Sequence, residues 1–167
     1  MQLHTKRLTL ISLLLGLSLI LSYVELLMPV MVAIPGFKIG LANIIIIFSL
    51  YNLKISDTWL ISLTRVLIVA MIFTNFMSII FSLAGAITSL LLMMALKRFD
   101  FGLIITSICG ALMHNLAQVI IAVFLIDSAY MSAYMLPLSI TAIISGTIIG
   151  IISSLFIKRF ESIKNYI

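Results

Sequence analysis

Apolar residues run along this chain in blocks of about twenty, broken by short clusters of charge, proline and glycine. A helix rising 1.5 Å per residue needs about 20 apolar residues to cross the hydrocarbon core of a bilayer. Measured that way, the pattern predicts spans at 8–28, 39–53, 58–73, 76–96, 103–126 and 134–157. The second is short and follows PVMVAIPGFK (29–38), which holds two of the three prolines. The run from Thr58 to Leu96 covers 39 residues, far too long for one helix, so a hairpin is expected near Thr74-Asn75. The first span follows Lys6 and Arg7 as a signal peptide would, but it is long and lacks a small-x-small cleavage site. It is expected to stay in the mature protein.

The charges give an independent reading of the threading. With the N-terminus inside and sides alternating, Lys6, Arg7, Lys54, Lys97, Arg98, Lys158, Arg159 and Lys164 all fall in the cytoplasm. Only Lys38 falls outside, and Arg65 lies within a span. The positive-inside rule demands that asymmetry. The expectation is an all-α integral membrane protein, one transmembrane domain over 1–167, with six helices and both termini cytoplasmic.

Composition narrows the function. Residues of the hydrophobic class make up 63% and charged ones 9%, with a mean hydropathy of +1.35, which excludes a water-soluble ball and a disordered chain. The net charge of +5 is scattered rather than gathered in one patch, so no nucleic-acid partner is expected. The lone Cys109 sits in an apolar run and offers neither a disulfide framework nor a thiolate metal site. The acids are Asp57, Asp100, Asp127, Glu25 and Glu161, with no two adjacent. No DDxxD-type magnesium cluster, P-loop, HExxH or paired catalytic carboxylate occurs. No metal, no cofactor and no enzymatic activity of the chain alone are expected.

Polar groups inside a span are costly, which makes each a functional candidate. Glu25 and Asn43 fall about one turn below the outer ends of spans 1 and 2, with Ser18 and Ser22 on the Glu25 face of span 1. His114 lies about 16 Å deep in span 5, with Asn115 beside it and Gln118 one turn further out on the same face. Arg65 lies slightly to the cytoplasmic side of centre in span 3. Pairing of Glu25 with Arg65, and amides tying helices together, is the bland account of these residues. Their convergence at similar depth favours a binding cavity in the outer half. The stretch PVMVAIPGFKIGLAN (29–43) puts Gly36 and Lys38 just before Asn43 and reads as a binding-site loop, the plainer account being an outer loop with an interfacial lysine. Such a lining suits an anionic or carbonyl-bearing head on an apolar or aromatic body, with walls of Ile, Leu, Phe and Met. Small residues also recur at four-residue spacing: Ser82/Ala86 and Gly146/Gly150, expected to pack internally, and Ser12/Gly16, where an intermolecular role is open.

The strings PGFKIGLAN (35–43), FSLAGAITSLLLM (81–93), GALMHNLAQ (110–118) and YMLPLSITAIISGTIIG (134–150) resemble the Gx transporter family, whose members are often labelled heptaprenyl diphosphate synthase component I. The resemblance covers roughly 8–155. That family is similar in layout to the S-components of energy-coupling factor (ECF) transporters, six-helix membrane proteins that capture a micronutrient outside and dock on a T-component with two ATPases. The resemblance implies that Gly36, Lys38, Asn43, Arg65, His114, Asn115 and Gln118 are substrate-side positions, and that Ser12 and Gly16 meet the T-component. S-components usually carry alanines at that spacing. The expected function is a substrate-binding subunit of an ECF-type importer in the bacterial cytoplasmic membrane. The alternatives are an accessory subunit of polyprenyl diphosphate or quinone metabolism, or a partner in flavin- or quinone-dependent electron transfer.

Overall fold

A computed structural model describes residues 2–28, 39–73, 76–126 and 133–164, and all secondary structure within them is helical. In chain order the helices are α1 (Gln2–Leu26), α2 (Asn43–Asn52), α3 (Ile55–Phe73), α4 (Phe76–Arg98), α5 (Leu103–Ile126) and α6 (Met135–Lys164). All but α2 are long and apolar enough to cross a membrane. This is a multi-pass membrane protein. The expected boundaries hold within a few residues except in the second span and at the ends of the chain. At those ends α1 starts six residues before the predicted span and α6 runs seven beyond it, because a helix continues into water past the apolar stretch. Thr74 and Asn75, where the hairpin was expected, lie outside the described residues, but α3 ends and α4 begins on either side of them.

The second span differs from its expected form. In place of a helix over 39–53 there is a turn at 39–42 and then ten residues of helix, about 15 Å long. Gly40 explains the late start. Its φ of +79° is a left-handed conformation that suits glycine, and it cannot begin a right-handed helix. What α2 lacks in length it makes up in burial: Ile45, Ile46, Ile47, Phe48, Ser49 and Leu50 are all between 0 and 2% exposed. A helix apolar all round must be enclosed by protein or lipid. Here α1, α3 and α6 pack directly against α2, and Leu90 and Met93 of α4 and Leu103 of α5 join the same core. Phe48 meets the rings of Phe156 and Phe160 edge-on, each at a centroid distance of 5.1 Å.

Polar contacts fasten one end of the bundle. Arg7 on α1 grips Asp57 on α3 through both carboxylate oxygens, its Nε donating at 2.9 Å. The Lys97 ammonium donates to the Leu50 carbonyl at 2.6 Å, near the C-terminus of α2, and lies 5.2 Å from the Tyr51 ring centroid. The turn from α4 into α5 places Asp100 at a φ of 55°. The Phe101 amide donates to the Leu96 carbonyl and the Asp100 amide to that of Lys97, the paired bonds of a left-handed helix stop.

The most extensive interhelical contact joins α5 and α6, and it depends on small residues as the sequence suggested. A Cβ added to Gly146 would stand 2.7 Å from the Ile108 Cα, and one on Gly150 would stand 2.9 Å from the Ile104 Cα. Backbone cannot yield as a side-chain tip can. Gly146→Ala is therefore expected to cost about 1–3 kcal/mol and to lower the unfolding temperature in detergent. Gly16→Ala, where an added Cβ meets nothing within 4 Å, should not lower it. Equal melting of the two variants would contradict this packing.

Candidate functional site

Beside the N-terminal half of α2 lies a cavity of about 120 Å³, bordered by all six helices. From α1 come Ser22, Glu25 and Leu26; from the turn and α2 come Ile39, Gly40, Asn43 and Ile47. Helix α3 contributes Arg65, Val66, Val69 and Ala70. Ser82, Ser89 and Met93 descend α4 on one face. Along α5 the positions are Ser107, Gly110, Ala111, His114 and Asn115, the three- and four-residue steps of a single helical face, spanning about 12 Å of depth. Ser145, Gly146 and Ile149 of α6 complete the wall.

Of the residues singled out in the sequence, Glu25, Asn43, Arg65, His114 and Asn115 meet here. Gln118 does not border the cavity, although it continues the face that carries Ser107, Ala111 and Asn115. The α5 face passes beyond the cavity before that turn is reached. Gly36 and Lys38 fall outside the described residues. Ser12 is exposed and Gly16 half-exposed on α1, with open space around the latter, so neither belongs to the cavity.

The charged groups are arranged unlike a simple ion pair. The buried Glu25 carboxylate accepts the Gly40 amide through Oε1, which ties the C-terminal end of α1 to the turn entering α2. Arg65 lies within the electrostatic reach of Glu25, yet the described residues hold one ion pair within 4 Å, and it is Arg7–Asp57. The Arg65 Nε is buried without a hydrogen-bond partner. A buried donor left unmade costs more than a made bond contributes, so this atom is conspicuous. Asn115 donates to the Leu138 carbonyl at 3.0 Å, bracing α5 on α6, which is the helix-tying role open to any membrane amide.

Two features were missed in the sequence. The first is hydroxyls: besides Ser22, which shares the Glu25 face of α1, Ser82, Ser89, Ser107 and Ser145 reach the cavity from three further helices, where walls of Ile, Leu, Phe and Met were expected. Elsewhere hydroxyls bond back to their own helix, as Ser18 does to Leu15, Thr88 to Ala84 and Ser139 to Met135. Ser22, Ser82, Ser89 and Ser107 make no such bond among the described residues. The second is Gly85. A Cβ there would lie 2.7–2.8 Å from three atoms of the His114 ring, so the imidazole lies flat on the bare backbone of α4.

The comparisons with known proteins bear on this arrangement. The family model for heptaprenyl diphosphate synthase component I matches residues 14–156, which include every described cavity position. The chain belongs to that family. No curated protein and no solved structure matches it. Membership of the component I family identifies a membrane component related by its label to a polyprenyl synthase, and the cavity is the feature in which its polar chemistry is gathered.

Gly85→Ala is expected to displace the His114 imidazole from its place on α4. His114 becomes the only histidine once His4 is replaced by Gln, so its ring signals can be followed by nitrogen-15 NMR in that background. A clear change in Gly85→Ala and none in Gly16→Ala is expected. An unmoved His114 signal in Gly85→Ala would contradict the contact.

Proposed function

We propose that this chain is the solute-binding membrane subunit of an ECF-type importer, taking a small anionic or amphipathic micronutrient into the cavity beside α2. A polar cavity inside an otherwise apolar bundle carries the reading: carboxylate, guanidinium, imidazole, amides and hydroxyls are brought to one place at a cost that packing does not require. Ligand sites are concave, with a few convergent polar groups set in an apolar surround. Glu25, Asn43, Arg65, His114 and Asn115 would hold the solute, and Gly36, Lys38 and Gln118 remain proposed contributors from the loop and the outer turn of α5. With no nucleotide-binding motif in the chain, transport energy would come from the partner T-component and two ATPases. The exposed Ser12 and half-exposed Gly16 on α1 would form the docking surface.

The second reading is an accessory role in polyprenyl diphosphate synthesis, which the family's label favours. A prenyl chain would want a groove lined by apolar side chains. The five serines and the ionisable groups weigh against that. The same wall leaves the electron-transfer alternative without a feature to support it. The proposed threading is six crossings in the bacterial cytoplasmic membrane with both ends inside, α2 and the chain leading to it making the second.

Two experiments test these readings. In a Cys109→Ser background, cysteines at Asp100 and Ser162 are expected to react with an impermeant maleimide only after the cells are opened. Labelling from outside would overturn the topology. Gly16→Leu should fold like the parent, since a Cβ added at Gly16 meets nothing within 4 Å, and should lose co-purification with the T-component and ATPases. Undiminished complex formation would remove Gly16 from the docking surface.

A further inference from the structure

Arg65 is a permanently charged, planar donor of five N–H groups, suited to gripping two oxygens of a carboxylate or phosphate at once. It borders the cavity with its Nε buried and unpartnered, while the nearby acid Glu25 is engaged by the Gly40 amide. A buried cation without a bonded counter-ion is expensive, so an arriving anion would find a donor already stripped of water. Below it on the facing helices, Ser89 and Ser107 line the same space, with Ser22 and Ser82 above. Hydroxyls turned toward a cavity rather than toward their own backbone need partners on whatever fills it.

We infer that the cavity binds a hydroxylated organic anion, its carboxylate or phosphate oxygens on the Arg65 guanidinium and its hydroxyl groups on Ser89 and Ser107. The inference rests on the solute-binding reading and sharpens it in two ways. The anchoring cation is Arg65 within the bundle rather than Lys38 at its mouth, and the body of the ligand is polar rather than aromatic. The same oxygen chemistry occurs on soluble phosphate esters and on anionic lipid headgroups, so the two sources must be separated.

The test uses the full chain in phosphatidylcholine nanodiscs, with thermal unfolding followed in sodium phosphate, in glycerol 3-phosphate and in glycerol. Phosphate is expected to raise the unfolding temperature, by about 3 °C at ten times its Kd. Glycerol 3-phosphate should raise it further, and glycerol should do nothing. Arg65→Gln should abolish both shifts. Arg65→Lys, which keeps the charge but loses the two-oxygen fork, should reduce them and serves as the second variant if Arg65→Gln does not fold. Ser89→Ala with Ser107→Ala should keep the phosphate shift and lose the extra one. No response of the parent to any anion, or an unchanged response in the Arg65 variants, would overturn the inference. A shift that depends on Arg65 but appears only when phosphatidylglycerol replaces part of the phosphatidylcholine would keep Arg65 as an anion anchor. That same result would remove the soluble-solute reading.

Discussion

The burial of α2 is the constraint from which the rest of the bundle follows. Ten residues of helix cannot cross a bilayer, and a surface of Ile, Phe and Leu on every side cannot face water. The other helices enclose it, and the two ends of α2 are treated differently. At its C-terminal end the bundle is closed by Lys97 on the Leu50 carbonyl, by the Tyr51 hydroxyl 3.4 Å from Thr106, and by the Arg7–Asp57 pair between the neighbouring helices. At its N-terminal end the turn at Gly40 is held by Glu25, and the cavity opens beside Asn43. A short central helix thus leaves room at one end that full-length helices would fill.

Two close-packing devices keep that room in register. Gly146 and Gly150 let α5 and α6 touch backbone to backbone, which fixes the face carrying Ser107, Ala111 and Asn115 against the face carrying Ser145 and Ile149. Gly85 lets α4 approach α5 closely enough to support the His114 ring. Glycine inside a soluble helix is a liability, but between membrane helices it sets the distance at which side chains meet. The cavity is therefore built by what α4, α5 and α6 omit as much as by what they carry.

Much of this was legible in the sequence, because apolar block length is a coarse signal that the bilayer enforces strictly. The break between α3 and α4 followed from the length of one run, and the Gly146/Gly150 contact from its spacing. The ionisable and amide groups of the cavity were found by their cost in lipid. The serines of α4, α5 and α6 were not, since a serine in an apolar span usually satisfies itself on its own helix, and only three-dimensional placement separates Ser89 and Ser107 from Ser18 and Ser139. Gly85 was hidden for a related reason: a glycine's role lies in its neighbour, and His114 is 29 residues away. Asp57 falls between the expected spans 39–53 and 58–73, yet it is buried and gripped by Arg7, fifty positions earlier. The short extent of α2 came from a single backbone angle at Gly40, which no hydropathy pattern records.

The central claim is that the cavity beside α2 holds a solute. Native mass spectrometry of the protein purified from its own membrane is the most direct measurement. The account predicts one small molecule of constant mass bound per chain, retained when lipids are stripped and lost in the Arg65→Gln variant. A spectrum of the folded parent showing the bare chain, or the chain with lipids alone, would contradict it.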